Sequence, residues 1–156
     1  MTYKTQGFII RQQNMSESDK ILTIYTKNKG KIKVVAKGLR KILSKLAGHV
    51  ELLNLVDLMI AHGKSLDRLA GAELINSYPK LKNDLRKITQ AYTLIELVDN
   101  LIKDNEPSQD IFALIEDSFK TIEKSGNPTL IVHFFIKLIA YLGHLPELNY
   151  CVHCRK

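Results

Sequence analysis

The sequence predicts an α+β chain, with five short strands in its first half and helices in its second. Two observations carry that reading. From Tyr3 to Tyr78, runs rich in β-branched and aromatic residues alternate with turn signals, the pattern of consecutive short strands. After Pro79 the apolar residues recur at helical spacing instead.

The strands follow in order. YKTQGFIIRQQ (3–13) is β-rich, and NMSESD (14–19) is a polar loop. KILTIYT (20–26) leads through the hairpin signal KNKG into KIKVVAKG (31–38), which begins with clean alternation of Lys and Ile. HVELLNLVDLMIAHG (49–63) and SLDRLAGAELINSY (65–78) read as two more strands, with GKS at the turn between them. GKS lacks the upstream glycine of a phosphate loop, because position 58 is Leu. Five strands with an insert after the third is the chain order of an OB-fold barrel. A barrel also removes open edges, which suits strands that are apolar on both faces.

In the second half, Leu81, Leu85, Ile88, Tyr92, Ile95 and Leu101 mark a helix over 81–103. A second helix starts near Pro107, a favourable first-turn residue, and SGNP (125–128) ends it. A third, Thr129 to Leu142, is apolar nearly all round and is expected to be the buried centre of the bundle. Gly143 is placed to stop it. The expected domains are 1–79 and 80–156, divided near Ser77 to Lys80.

With 45% hydrophobic and 25% charged residues, the composition is that of a globular protein. No apolar run reaches the roughly 18 residues of a membrane span, and the N-terminus carries no secretory pattern. Two cysteines close together make no disulfide framework, so a cytoplasmic protein with reduced thiols is expected. The net charge is +7, unevenly spread. Residues 1–50 hold eleven Lys or Arg against Glu17 and Asp19, whereas residues 51–110 hold seven against ten acids. A localised positive field points to a polyanionic partner. Nucleic acid is favoured over a membrane surface, because the basic residues lie mostly in strand-like sequence.

The densest charge is KGLRKILSK (37–45). Read as a short helix or turn, it places Lys37, Lys41 and Lys45 on one face with Arg40 beside them. Leu39, Ile42, Leu43 and Leu46 then share an apolar underside packed on the barrel. Arg11, Lys31 and Lys33 on the neighbouring strands are the next candidate phosphate contacts. No catalytic constellation stands out. Glu17 and Asp19 sit in a polar loop without a nearby histidine, where turn and cap roles account for them. The pair Cys151 and Cys154 offers two thiolates to a zinc ion, with His144 as a candidate third ligand.

Several segments in order resemble the RecO family of bacterial recombination mediators. They are Gly7-Phe8-Ile9-Ile10, Glu17-Ser18-Asp19, Ile21 to Thr26 with Gly30, and Ala36-Lys37-Gly38 with its basic continuation to Ser44. Ala72-Glu73-Leu74, Leu138 to Gly143, Pro146-Glu147-Leu148 and Cys151-Val152-His153-Cys154 complete the series. The family's second cysteine pair and C-terminal helical part have no counterpart in this sequence, as in a truncated or short form. The resemblance implies a non-enzymatic DNA-binding protein of the bacterial cytoplasm and nucleoid. It would bind and anneal single- and double-stranded DNA and help load recombinase. Its implied partners are RecR and the acidic tail of single-strand-binding protein, with no membrane. His133 and Lys137 on the third helix are candidates for that tail. The main alternative is a protein-interaction adaptor without DNA function, using the helical region, and a second is a membrane-surface protein using the basic amphipathic segment.

Overall fold

The computed structural model describes residues 1–151, 153 and 154. The five expected strands form: β1 (Thr2–Asn14), β2 (Lys20–Thr26), β3 (Gly30–Ala36), β4 (Leu55–Ala61) and β5 (Asp67–Asn76). They close into a barrel in the order β1-β2-β3-β5-β4. β1 is long enough to serve two neighbours. Its first half, Thr2 to Phe8, pairs with β4, and the stretch from Gly7 to Asn14 pairs with β2. The barrel is completed by a short parallel pairing of Val34 and Val35 with Asp67 and Arg68.

The apolar residues on both faces of β1 and β2 have two destinations. Ile9, Leu22 and Ile24 point into the barrel with Val34, Leu58 and Ile60. Phe8, Ile10 and Tyr25 point outward into a second core shared with the helices. Phe8 is fully buried there. It meets Phe112 at 5.1 Å and Phe119 at 5.5 Å, the latter edge-on, and Phe119 in turn meets Tyr78 edge-on at 5.3 Å. Such tilted pairs are favoured by the ring quadrupoles. The two regions expected as separate domains thus share one core.

The helices are α1 (Pro79–Lys82), α2 (Leu85–Leu101), α3 (Gln109–Ser125) and α4 (Thr129–Tyr141). The single helix expected over 81–103 is broken after one turn. Asp84 is extended and its side chain accepts from the amides of Arg86 and Lys87, so it starts α2 as an N-cap. Ser108 caps α3 in the same way through the Ile111 amide. The expectation that α4 lies at the bundle centre does not hold. Only Phe134 and Leu138 of it are buried, while Val132, Phe135, Ile136 and Tyr141 are exposed. α2 and α3 cover one stripe of α4 and leave the rest of its surface open.

Gly30 joins the two halves at the β2–β3 turn. Its φ is +68°, and a Cβ there would run into the carbonyl of Glu106. Beside it, the Lys31 backbone carbonyl accepts from the Asn105 amide, at 2.8 Å.

Removing Phe8 therefore strikes both halves at once. Phe8→Ala is expected to cost about 3–5 kcal/mol of unfolding free energy. Urea denaturation followed by circular dichroism should show one transition, shifted as a unit. Two separated transitions in the native chain would instead mean that the halves fold independently.

Candidate nucleic-acid interface

The short parallel pairing of β3 with β5 brings the exit of β3 beside the loop that joins β4 to β5. Lys37 leaves β3 there, and Lys64 and Arg68 flank the start of β5. Together with Met15, Asp19, Val35 and His62 they line an open cleft of about 600 Å³. Lys37, Lys64 and Arg68 are exposed, and none forms an ion pair among the described residues. Lys64 and Arg68 were not singled out from the sequence. GKS reads as a turn and is one, and its cationic role arises only from a pairing between strands distant in sequence. The signal that was available is the basic pair within a polar turn.

The segment after β3 is a series of turns rather than a helix. Gly38 adopts φ +66°, which ends the strand. The loop before β2 fastens it. The Asp19 carboxylate accepts from the Gly38 amide at 2.8 Å, and the Ser18 carbonyl accepts from the Arg40 amide at 3.0 Å. The Arg40 guanidinium donates to the Ser16 carbonyl at 2.9 Å. The Gly38 amide is the main cause holding the Asp19 carboxyl below its ordinary range. Asp19 is thus a cap on the basic loop, the role its position suggests.

The expected apolar underside is only half realised. Leu39 is buried in the barrel core and Leu46 packs against it, but Ile42 and Leu43 stand in solvent. The turns place them at the tip, with Lys41 and Lys45 exposed on either side.

The strand cations have a different fate. Lys31 is buried, donates to the Asp99 carbonyl at 2.6 Å, and pairs with the carboxylates of Asp99 at 3.7 Å and Asp104 at 3.4 Å. Arg11 pairs with Asp99 at 3.4 Å and Lys33 with Asp104 at 3.2 Å. Lys31 is therefore not an exposed phosphate contact in this structure. A buried ammonium needs partners, and the last turn of α2 and the loop after it supply them. Arg11 and Lys33 keep exposed side chains but each already has a carboxylate partner, shared with Lys31.

A smaller aromatic platform adjoins the cleft. The Tyr3 and His62 rings lie 5.1 Å apart, with the Lys29 ammonium 5.4 Å from the Tyr3 ring centre. Asp67 accepts from Tyr3 at 3.2 Å and contacts His62 Nδ1 at 3.2 Å. Partial burial, reinforced by the Asp67 carboxylate, pushes the Tyr3 hydroxyl up to about 12.

On the helical side, His133 and Lys137 lie one turn apart on α4, both exposed beside Ile136. Cys151 and Cys154 are exposed free thiols. The backbone amides of Cys154 and then His153 lower the Cys151 thiol, which favours the thiolate a metal needs. Two thiolates are half of a tetrahedral zinc site. His144 does not join them: among the described residues no group of three or more His, Cys, Asp or Glu is placed to hold a metal.

Comparison with known proteins agrees with this layout. The family profile described as recombination protein O N terminal matches residues 1–78, and that described as recombination protein O C terminal matches residues 82–156. The chain is 33% identical to the DNA repair protein RecO of Acetivibrio thermocellus over 153 residues, which is 97% of this chain and 61% of that protein. It is 32% identical to RecO of Dehalococcoides mccartyi, over 99% of this chain and 61% of the relative. RecO of Gloeothece citriformis is 36% identical, over 96% of this chain and 54% of the relative. The chain thus spans about three fifths of the length of such curated relatives. With both family profiles matched in order across the barrel and the helices, the chain belongs to the RecO family.

Proposed function

We propose that this chain is a non-catalytic DNA-binding protein of recombinational repair, whose barrel works as an OB-fold. The observation that carries this is the separation of its cations. Arg11, Lys31 and Lys33 are tied to Asp99 and Asp104, while Lys37, Lys41, Lys45, Lys64 and Arg68 remain exposed around one cleft and its bordering loop. OB-folds hold single strands in such cationic grooves. Few aromatics accompany the cleft, so phosphate contact dominates and sequence preference is weak.

Family membership supports the finer reading: binding to single- and double-stranded DNA, strand annealing, and assistance in loading recombinase onto protein-coated DNA. RecR and the acidic tail of single-strand-binding protein are the proposed partners, in the bacterial cytoplasm at the nucleoid. Among the described residues no helix is long and apolar enough to cross a membrane. The tail would meet α4, where Lys137 and His133 border exposed Ile136. That same face favours the second reading, a protein adaptor without DNA function. Zinc, if bound, would be held by Cys151 and Cys154 alone among the described residues, with no part in holding the fold.

Salt titration of oligonucleotide binding separates the two readings. Replacing Lys37, Lys41, Lys45, Lys64 and Arg68 with Ala should weaken binding to unrelated sequences about equally. The slope of log affinity against log salt should flatten by about 0.7 per lost contact, up to roughly 3.5 for five on a single strand. Lys33→Ala should leave the slope in place, because that charge is already paired. An unchanged slope in the fivefold variant would rule out this surface.

The Asp19 cap gives a second test. Asp19→Ala should free the basic loop, speeding tryptic cleavage at Lys41 and Lys45 and weakening DNA binding. The sign of the pH effect follows from the lowered carboxyl. The cap contributes fully above the unfolded value near ~3.9 and is lost as pH falls through the lower folded value. Cleavage as fast in the native chain as in the variant at neutral pH would show the cap to be idle.

For the cysteines, zinc should bind weakly and chelator should leave the unfolding midpoint unmoved, since both buried cores lie away from them. A midpoint that drops on chelation would give the metal a structural role.

A further inference from the structure

We propose that Ile42 and Leu43 form an apolar tip that packs against unstacked bases of a single strand whose phosphates are held by Lys37, Lys41 and Lys45. This rests on the reading of the barrel face as a DNA-binding surface and adds a base contact to it.

Three observations converge on the tip. The first is exposure: Ile42 is 102% and Leu43 91% exposed, which with the N-terminal Met1 are the most exposed large apolar side chains among the described residues. The second is that the loop is built rather than loose. Leu39 and Leu46 anchor its two ends to the barrel core, and Asp19, Ser18 and Ser16 bind Gly38 and Arg40. Within it, the Lys41 amide donates to the Gly38 carbonyl at 3.1 Å and the Ser44 amide to the Lys41 carbonyl at 2.9 Å. Four apolar residues were available at this loop, and the fold spends two as anchors and holds two in water. The third is charge. The tip is bordered by exposed Lys41 and Lys45, and its root continues through Lys37 into the cationic cleft.

A partner for such a tip must carry negative charge and offer apolar faces within a few ångströms of each other. A single strand does, because its phosphates alternate with bases whose faces are bare when unstacked. The usual stacking residues are missing here. Of the aromatics in the basic third, Phe8 and Tyr25 are fully buried, and Tyr3 lies across the cleft beside His62. Aliphatic side chains are known to wedge against base steps when cations hold the backbone. An anionic membrane offers the same two chemistries, but two side chains bury less hydrocarbon than one acyl chain, which alone binds only marginally.

The test compares two strands of equal charge: a twenty-nucleotide thymidine strand and an abasic strand of the same length. The native chain should bind the thymidine strand about three- to tenfold more tightly. The doubly substituted chain, Ile42→Ser with Leu43→Ser, should lose that preference while its salt slope stays the same, because no phosphate contact is removed. Both residues are exposed, so the variant should keep the native unfolding midpoint; the native chain's own comparison needs no variant. A variant that keeps the preference, or that weakens both strands equally, overturns the base contact. Loss of binding to phosphatidylglycerol vesicles, with base preference retained, would assign the tip to a membrane instead. A native chain that binds neither strand refutes the DNA-binding reading itself, a result distinct from failure of the tip.

Discussion

Everything in this chain hangs on the two-sided burial of β1. Ile9 enters the barrel while Phe8 and Ile10, on the opposite face, enter the helical core. A strand has only two faces, so one segment commits both halves of the chain to each other. The aromatic cluster of Phe8, Phe112, Phe119 and Tyr78 sits at that junction. Tyr78 is held there at a cost, since its φ is +51° and its buried hydroxyl has no hydrogen-bond partner among the described residues. The packing of its ring must outweigh both penalties.

Docking the helices on β1 and β2 then decides the electrostatics. The same contact carries Asp99 and Asp104 to the outer face of the barrel, where Lys31 is nearly enclosed. One ammonium with two carboxylates and a carbonyl is a satisfied buried charge, and Arg11 and Lys33 complete the balance at the rim. Two carboxylates against three cations thus offset part of the positive charge of the first fifty residues on the helical side. Lys37, Lys64 and Arg68 stay exposed where β3 and β5 meet, without an ion pair among the described residues.

Much of this was legible in the sequence, and the misses have physical causes. The five strands follow from β-branched runs and their turns, and the two-sided apolar pattern of the early strands gives only a reason for barrel closure. What covers the second face is a long-range contact that strand patterns do not encode. The Lys37 to Lys45 spacing fits a helix, yet Gly38 and the Asp19 cap favour turns, and a turn series need not bury every apolar residue. Asn83-Asp84 carried a capping signal that the continuous Leu and Ile spacing obscured. For α4, uniform hydrophobicity suggested a central helix, but neighbours decide burial, and those present cover only Phe134 and Leu138. The interface was half legible. Lys37, Arg40, Lys41 and Lys45 share one loop, whereas Lys64 and Arg68 reach the cleft only through the β3–β5 pairing.

The arrangement keeps the proposed binding surface apart from the two cores. The cations around the cleft form no ion pair among the described residues and, apart from Arg68 at the start of β5, lie on loops, so they are free to change without disturbing either core. Surface substitutions of this kind usually shift stability by less than about 0.5 kcal/mol. Lys31 is the opposite case: it has the charge of a binding residue and the surroundings of a core residue. Asp19 stands between these two classes, since it touches no core yet fixes the path of the basic loop. Asp19 thus acts chiefly by shaping the cationic surface, through the Gly38 amide that its carboxylate accepts from.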